Sequence, residues 1–316
     1  MDTQKINQIL RISKMYYELD LGQVEIAAKE GISKSTVSRL LKTGKEMGLI
    51  EVRIKKTALS FGDLEAEFLS RFPIRRITIV PDLLNNPQVI LHDACVAVAE
   101  ALPGYLEDDG ILGVAWGSTL ELLSNVLKSV KRKGVSVIQL SGGYSRVIHE
   151  SSAVTILRHF AQNLNANAYV IPAPAVVDTP FIAEAIMQDS QIKKVLDMAE
   201  RCQTAVFSVG NLSRPSVIYE MGLLSDEQYR IMEANGCVGD VCSHFINAQG
   251  ESFDPIFEKR VVGASLDTIR AIPNKLVIAC GVQKTKVILA ALRGGLVDHL
   301  FIDEPTAMRI SQSLLD

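Results

Sequence analysis

The sequence predicts an α/β protein in two parts: a small helix-turn-helix head, residues 1–56, and a Rossmann-like, doubly wound α/β body, residues 57–316. Three observations predict it. Residues 21–49 hold two short helical patterns separated by a glycine. Further on, apolar strand-like runs alternate with helical stretches, the pattern of a mostly parallel sheet covered on both faces. Finally, the 316 residues leave ample chain after the head for a sizeable core.

The head reads LGQVEIAAKEGISKSTVSRLLKTGKEMGL. Val24, Ile26 and Ala27 give its first helix an apolar side. Gly31 stands where the turn needs a residue tolerant of positive φ. Ser33 is a helix N-cap, its hydroxyl placed to accept from free N–H groups of the next turn. Val37, Leu40 and Leu41 recur at three- and four-residue spacing as the buried stripe of the second helix. Lys34, Ser35, Ser38, Arg39 and Lys42 then face outward, and with Gln23, Ser33 and Thr36 they form the candidate DNA-contacting set. Arginine reads guanine bidentately, and hydroxyls bond to bases or phosphates. An ordinary helical hairpin with a solvated face is the competing account.

Charge separates the two parts. Residues 1–56 carry eleven Lys or Arg against seven Asp or Glu, whereas the whole chain sums to −3. A basic head on an acidic body confines phosphate contact to the head. Because that excess is modest, one head should bind weakly, and paired heads on spaced half-sites are expected. No apolar run is long enough to span a membrane and no signal peptide is visible, so a cytoplasmic protein is expected. Cys95, Cys202, Cys237, Cys242 and Cys280 are scattered among apolar neighbours and read as reduced thiols, with no metal-ligand spacing.

After the head, Ile50, Val52 and Ile54 alternate with charged residues as a short strand, ending at Lys55 and Lys56. A connecting helix is predicted over 63–72, started by Asp63 and stopped by Pro73. Body strands are predicted at 77–80, 111–117, 135–143, 168–176, 204–210, 276–281 and 299–303, with helices at 88–102, 119–130, 151–164, 181–199 and 284–295.

In such folds ligands sit beyond the carboxyl ends of the strands. Three strand-end loops therefore become candidates. Gly117-Ser118-Thr119 offers backbone N–H groups and two hydroxyls at a helix N-terminus, with plain helix capping as the alternative. Ser141-Gly142-Gly143 suggests close backbone approach or a tight turn. Lys284, after Gly281, either pairs with a phosphate or stays solvated. Asp240, following Gly239, either accepts from sugar hydroxyls or caps a turn. None of these loops is a Walker loop or a GxGxxG fingerprint, so no nucleotide or other cofactor is expected. The five histidines are dispersed, and His92, His149 and His244 read as structural or surface residues.

The segments VEIAAKEGISKSTVSRLL, VAWGSTL, VIQLSGG, PAPAV, VGDVCSHFIN, GVQKTKVILAAL and LFIDEPTA together resemble the SorC family of bacterial sugar-binding transcriptional regulators. The short head and overall length resemble its deoxyribonucleoside-regulator branch most. The resemblance runs nearly end to end. It implies a body with the fold shared by ribose-5-phosphate isomerase and glucosamine-6-phosphate deaminase, a phosphorylated sugar as effector, and a repressor of a carbohydrate or deoxyribonucleoside catabolic operon. It also implies a homotetramer, or dimer of dimers, on operator DNA. Gly117, Ser118 and Thr119 match the family's phosphate loop, Lys284 its lysine and Asp240 its Gly-Asp motif. One departure matters: a lysine that can precede the two glycines is Ser141 here. A hydroxyl forms no Schiff base, so reversible hydrogen bonding is expected rather than covalent capture. The alternative function is a sugar-phosphate isomerase or deaminase carrying a DNA-binding appendage.

Overall fold

The computed structural model describes residues 3–50, 61–130, 132–143, 153–212 and 225–314. The chain divides into two compact units, Met1–Leu59 and Ser60–Asp316.

The first unit contains three helices, α1 (Thr3–Tyr17), α2 (Gln23–Glu30) and α3 (Lys34–Glu46). Gly31 ends α2 in the left-handed region at φ 66°, and the Ser33 hydroxyl accepts from the Thr36 N–H to start α3. Ile9 and Ile12 of α1 pack with Ile26, Ala27, Val37, Leu40 and Leu41 in one small core. The sequence pattern of residues 21–49 did not include α1, whose buried stripe is two isoleucines and Ser13. Arg11 clamps α1 to α2 through a bidentate pair with Glu30, at 2.7 and 2.6 Å, and this guanidinium holds the Glu30 carboxyl below its ordinary range. Val24 departs from expectation: it is 67% exposed, so the apolar side of α2 is Ile26 and Ala27. The strand expected from Ile50 through Val52 and Ile54, with Lys55 and Lys56, lies outside the described residues beyond Ile50.

The second unit opens with α4 (Gly62–Arg71), which ends just before Pro73. Seven parallel strands follow: β1 (Arg76–Val80), β2 (Ile111–Val114), β3 (Ser136–Gln139), β4 (Asn167–Tyr169), β5 (Thr204–Asn211), β8 (Asn274–Ala279) and β9 (His299–Asp303). Their order is β1-β9-β8-β5-β2-β3-β4. A hairpin of β6 (Cys237–Val241) and β7 (His244–Asn247) adds to the end of β5, antiparallel, with Gly210 opposite Asp240. Alternate strand residues feed two cores. Ala205, Phe207, Val277, Ala279, Leu300 and Ile302 face one layer, while Val206, Leu276, Ile278 and Phe301 face the other. That alternation is what a sheet covered on both faces requires.

The helices are α5 (Pro87–Ala101), α6 (Ser118–Val126), α7 (Ala153–Leu164), α8 (Pro180–Met187), α9 (Ser190–Ala199), α10 (Asp226–Ala234), α11 (Pro255–Glu258), α12 (Leu266–Ala271), α13 (Thr285–Arg293) and α14 (Glu304–Ser313). The single helix expected over 181–199 is two, because Asp189 caps a new one by accepting from Gln191 and Ile192 N–H. The strand expected over 168–176 pairs only at its first residues. Beyond them, where Pro172 and Pro174 interrupt the strand, there are only isolated bridges, Gly143 with Pro174 and Val176 with Val261. The β6–β7 hairpin was not anticipated: its turn residues Cys242 and Ser243 take φ of 51° and 73° without being glycine.

The order of the strands reverses between β2 and β5, which are parallel neighbours. From β2 the chain runs outward to β3 and β4, and from β5 it runs the other way to β8 and β9. The loops leaving β2 and β5 therefore part and open a crevice, the switch point of a doubly wound sheet.

Candidate functional site

A cavity of about 260 Å³ occupies that crevice. Its walls come from the loop after β2 (Trp116, Gly117, Ser118 and Thr119), the end of β5 (Ser208 to Asn211), the β6–β7 hairpin (Asp240, Cys242, Ser243) and the loop after β8 (Gln283, Lys284). Three of the predicted loops or motifs thus meet in one place.

The polar lining of this cavity begins at α6. Gly117 is its N-cap, at φ 120°, and no side chain caps the helix. The first-turn N–H groups have no intrahelical partner by construction, and they carry the positive end of the helix dipole. Plain capping by Ser118 or Thr119, the competing account, is not what the hydroxyls do. Ser118 is exposed and Thr119 is buried, and both belong to the first turn rather than to the cap. Lys284 completes the cationic side. Its Nζ donates to Ser208 Oγ at a long 3.4 Å. Burial lowers its pKa, against the pull of Cys280, Asp240 and Asp303.

The Gly281 loop that carries Lys284 is held from below. Gly281 N–H donates to Asp303 Oδ2 at 2.7 Å and to Thr306 Oγ1 at 3.1 Å. The other carboxylate oxygen of Asp303 accepts from the Thr306 N–H at the start of α14. Asp303, only 3% exposed, thereby joins β9, α14 and the Gly281 loop. Sequence reasoning treated HLFID as a strand only, although an aspartate closing an apolar strand before Glu-Pro-Thr is a visible cap signal.

Asp240 projects from β6 over β5. Its Oδ2 accepts from the Ser243 N–H at 3.2 Å, which closes the turn, and its other oxygen lies against Gly210. Burial pushes the carboxyl up to about 6, opposed by the Ser243 N–H and by the nearby Lys284. Asp240 is a cavity residue and a turn residue at once. His244, behind it, is buried between Glu258 Oε1 at 2.7 Å and the Ala264 carbonyl at 2.9 Å, a structural position. His92 is exposed, and His149 lies outside the described residues.

Ser141, Gly142 and Gly143 stand behind the cavity rather than in its lining. The Gly142 N–H donates to the Val262 carbonyl and the Gly143 N–H to the Ala173 carbonyl. A Cβ at Gly142 would collide with the Ala173 and Pro174 carbonyls. The close approach that two glycines suggest is therefore approach to the 173–174 backbone. Ser141 reaches the site indirectly: its Oγ accepts from Trp116 Nε1 at 3.2 Å and lies 3.4 Å from Ser243 Oγ. Ser208, Asn211, Cys242 and Ser243 are cavity residues that sequence reasoning missed, whereas Gln283 belongs to the anticipated Gly281–Lys284 loop. The exit of a recognised strand located the first two, whereas no local pattern marked the hairpin turn.

Cys95, Cys202, Cys237 and Cys242 are buried free thiols, and burial pushes the first three up to about 12. Among the described residues no cluster of His, Cys, Asp and Glu suits a metal ion, and no helix is long and apolar enough to cross a membrane.

In the first unit, α3 presents Lys34, Ser35, Ser38, Arg39 and Lys42 to solvent on one face. Arg39 makes no ion pair or hydrogen bond among the described residues, and Lys42 meets only Glu46 at 3.7 Å. Ser33 and Thr36 are engaged in the cap, with hydroxyls 2.8 Å apart. Gln23 is the half-buried first residue of α2.

Residues 58–311 match the family described as "Putative sugar-binding domain". The chain belongs to this SorC-type sugar-binding family. It is similar to the deoxyribonucleoside regulator of Bacillus subtilis (strain 168), at 27% identity over 99% of this chain and 100% of that one. It is likewise similar to the sorbitol operon regulator of Klebsiella pneumoniae, at 26% identity over 97% and 98%. The crystal structure of the full-length sorbitol operon regulator SorC from Klebsiella pneumoniae superposes with a TM-score of 0.77, at 25% identity, covering 98% of this chain and 99% of that one.

Proposed function

We propose that the protein is a sugar-responsive transcriptional regulator whose hold on operator DNA is set by a phosphorylated sugar in the body cavity. The observation that carries the reading is the uncapped N-terminus of α6 opening on the same cavity as Lys284 and Asp240. An uncapped helix N-terminus with a nearby ammonium suits a phosphate. Asp240 supplies the acceptor that sugar hydroxyls need. The end-to-end similarity to named operon regulators, head included, supports DNA as the output. A repressor acting as a homotetramer fits the modest charge of one head, which gains affinity through paired half-sites. The effector acts by binding two assembly states unequally, since equal affinity would shift nothing.

A thermal-shift panel of ribose 5-phosphate, 2-deoxyribose 5-phosphate, fructose 6-phosphate, glucosamine 6-phosphate and sorbitol 6-phosphate tests the effector class, because a ligand of the folded state raises the melting point by mass action. The responding compound should lose its effect in Lys284→Ala and in Thr119→Ala while both variants still bind DNA. A normal response in Lys284→Ala would place the phosphate elsewhere.

One observation favours the enzymatic alternative. Burial moves the Asp240 carboxyl up and the Lys284 amine down, which brings both groups nearer to neutral pH, the tuning that suits a general acid or base. Sustained turnover of any panel compound, lost in Asp240→Ala, would establish it.

A further inference from the structure

The Trp116–Ser141–Ser243 contacts link three walls of the cavity, and the donor inventory gives them a direction. The Trp116 indole nitrogen carries a hydrogen and accepts nothing, so at 3.2 Å it donates to Ser141 Oγ. Ser141 is 1% exposed, and among the described residues its hydroxyl has one other partner, Ser243 Oγ at 3.4 Å. Were Ser243 the donor, the Ser141 hydrogen would be buried without an acceptor, the costlier arrangement. Ser141 therefore donates to Ser243. The Ser243 hydrogen is then left without an acceptor among the described residues, on a residue 2% exposed that lines the cavity.

We infer that Ser243 is a specificity-determining donor that gives its hydroxyl hydrogen to an oxygen of the effector, oriented by a one-way chain from Trp116 through Ser141. The inference rests on the reading of this cavity as a sugar-phosphate site. Its position within the site separates it from the phosphate end. Ser243 stands on the hairpin with Asp240, whereas α6 and Lys284 offer the anion-binding groups. The turn thus presents an acceptor, Asp240, and a fixed donor, Ser243, side by side. Ser141 is a positioning residue, which explains a buried serine behind the cavity where a ligand contact was expected. Ser243 has a left-handed backbone, φ 73°, a conformation that the surrounding turn has to maintain.

Two measurements test it. Neutron diffraction from deuterated protein without ligand should place the Ser141 deuteron towards Ser243 Oγ and the Ser243 deuteron towards the cavity; the opposite arrangement overturns the chain. Binding is then compared for inorganic phosphate and for whichever panel sugar phosphate gives the largest thermal shift. Ser243→Ala and Ser141→Ala should each weaken the sugar phosphate about tenfold, the loss of one neutral hydrogen bond, and leave inorganic phosphate within about twofold. Unchanged sugar-phosphate binding in Ser243→Ala overturns the proposal, and so does an equal loss for both probes, which would signal a collapsed pocket. If no panel compound binds the wild-type protein, the sugar-phosphate reading fails, and the neutron map still decides the direction of the chain.

Discussion

Gly210 and Asp240 face each other across the β5–β6 pair, and the Asp240 carboxylate fills the space that a side chain at position 210 would need. Gly239 is similarly confined, since a Cβ there would strike the Gly210 carbonyl and Val287. The hairpin can approach β5 this closely only because both residues lack side chains. Gly210→Ala should therefore displace the carboxylate from the cavity. The expected outcome is loss of the effector's thermal shift with α3-mediated DNA binding retained, read by calorimetry and by gel shift on the same preparation. An unaltered effector response would mean that the carboxylate is not needed at its present place.

Gly44 plays a comparable part in the head. A Cβ there would come within 2.5 Å of Ile50 Cδ1 and 2.8 Å of Ile9 Cγ2, both in or against the small core. Alanine is the better helix former, by about 1 kcal/mol, yet overpacking a core costs about 1–3 kcal/mol. The clash should win, because a core this small has little room to relax. Gly44→Ala is expected to lower the head's stability and DNA affinity while leaving sugar-phosphate binding unchanged. A more stable head would show that Ile50 moves aside freely.

Much of this architecture was legible in the sequence because it is written in local rules. Gly31 and Ser33 bracket a turn whose geometry depends on those residues alone, and the apolar runs of β5, β8 and β9 announce a parallel sheet. What was not legible depends on contacts distant in sequence. The role of Ser141 is set by Trp116 and Ser243, and the use of Gly142 by Ala173 and Val262. The β6–β7 turn is carried by Cys242 and Ser243, residue types with no preference for positive φ. The Asp240 turn bond and packing against β5 maintain it there. Val24 shows the reverse error: an apolar residue in helical register proved to be exposed.

Arg39 should carry a larger share of DNA recognition than Lys42, because its guanidinium is uncommitted among the described residues and sits mid-face on α3. On the duplex that wild-type protein selects from a random pool, Arg39→Ala is expected to cost about 1–3 kcal/mol and to relax the selected sequence at one position. Lys42→Ala should instead weaken all sequences alike and flatten the salt dependence. Identical sequence selection by the Arg39→Ala protein would reduce Arg39 to a phosphate contact.

Asp240 should contribute less to the stability of the free protein at neutral pH than in mild acid. Its folded pKa, about 6, lies above its ordinary value of 3.8. Between those values the folded state holds a proton that the unfolded state has released. The contribution is fully present below about pH 4 and is lost as pH rises through 6. Asp240→Asn keeps an oxygen for the Ser243 N–H and removes the charge. Urea titrations should show the variant more stable than wild type at pH 7.5, by an amount on the order of 3 kcal/mol, with no advantage at pH 4. The same variant should bind the effector less well, the usual exchange of stability for function.

His299 acts in the opposite sense over nearly the same range. It is 3% exposed and stacked on Phe301, with the hydroxyls of Tyr105 and Thr78 each 2.9 Å from a ring nitrogen. Burial, with the nearby charge of Arg76, pushes its pKa down to about 4 from 6.5. Between those values the unfolded chain binds a proton that the folded protein refuses. Stability is thus fully present above about pH 6.5 and falls as the solution is acidified towards 4. The size is on the order of 3 kcal/mol, comparable to the Asp240 contribution, so the two largely offset each other in wild type between pH 4 and 6. Replacing His299 by Gln should unmask the Asp240 trend: the variant, though weaker at pH 7.5 for lost packing, should gain stability as pH falls to 5. Parallel pH profiles for wild type and His299→Gln would show that the imidazole accepts its proton without disturbing the fold.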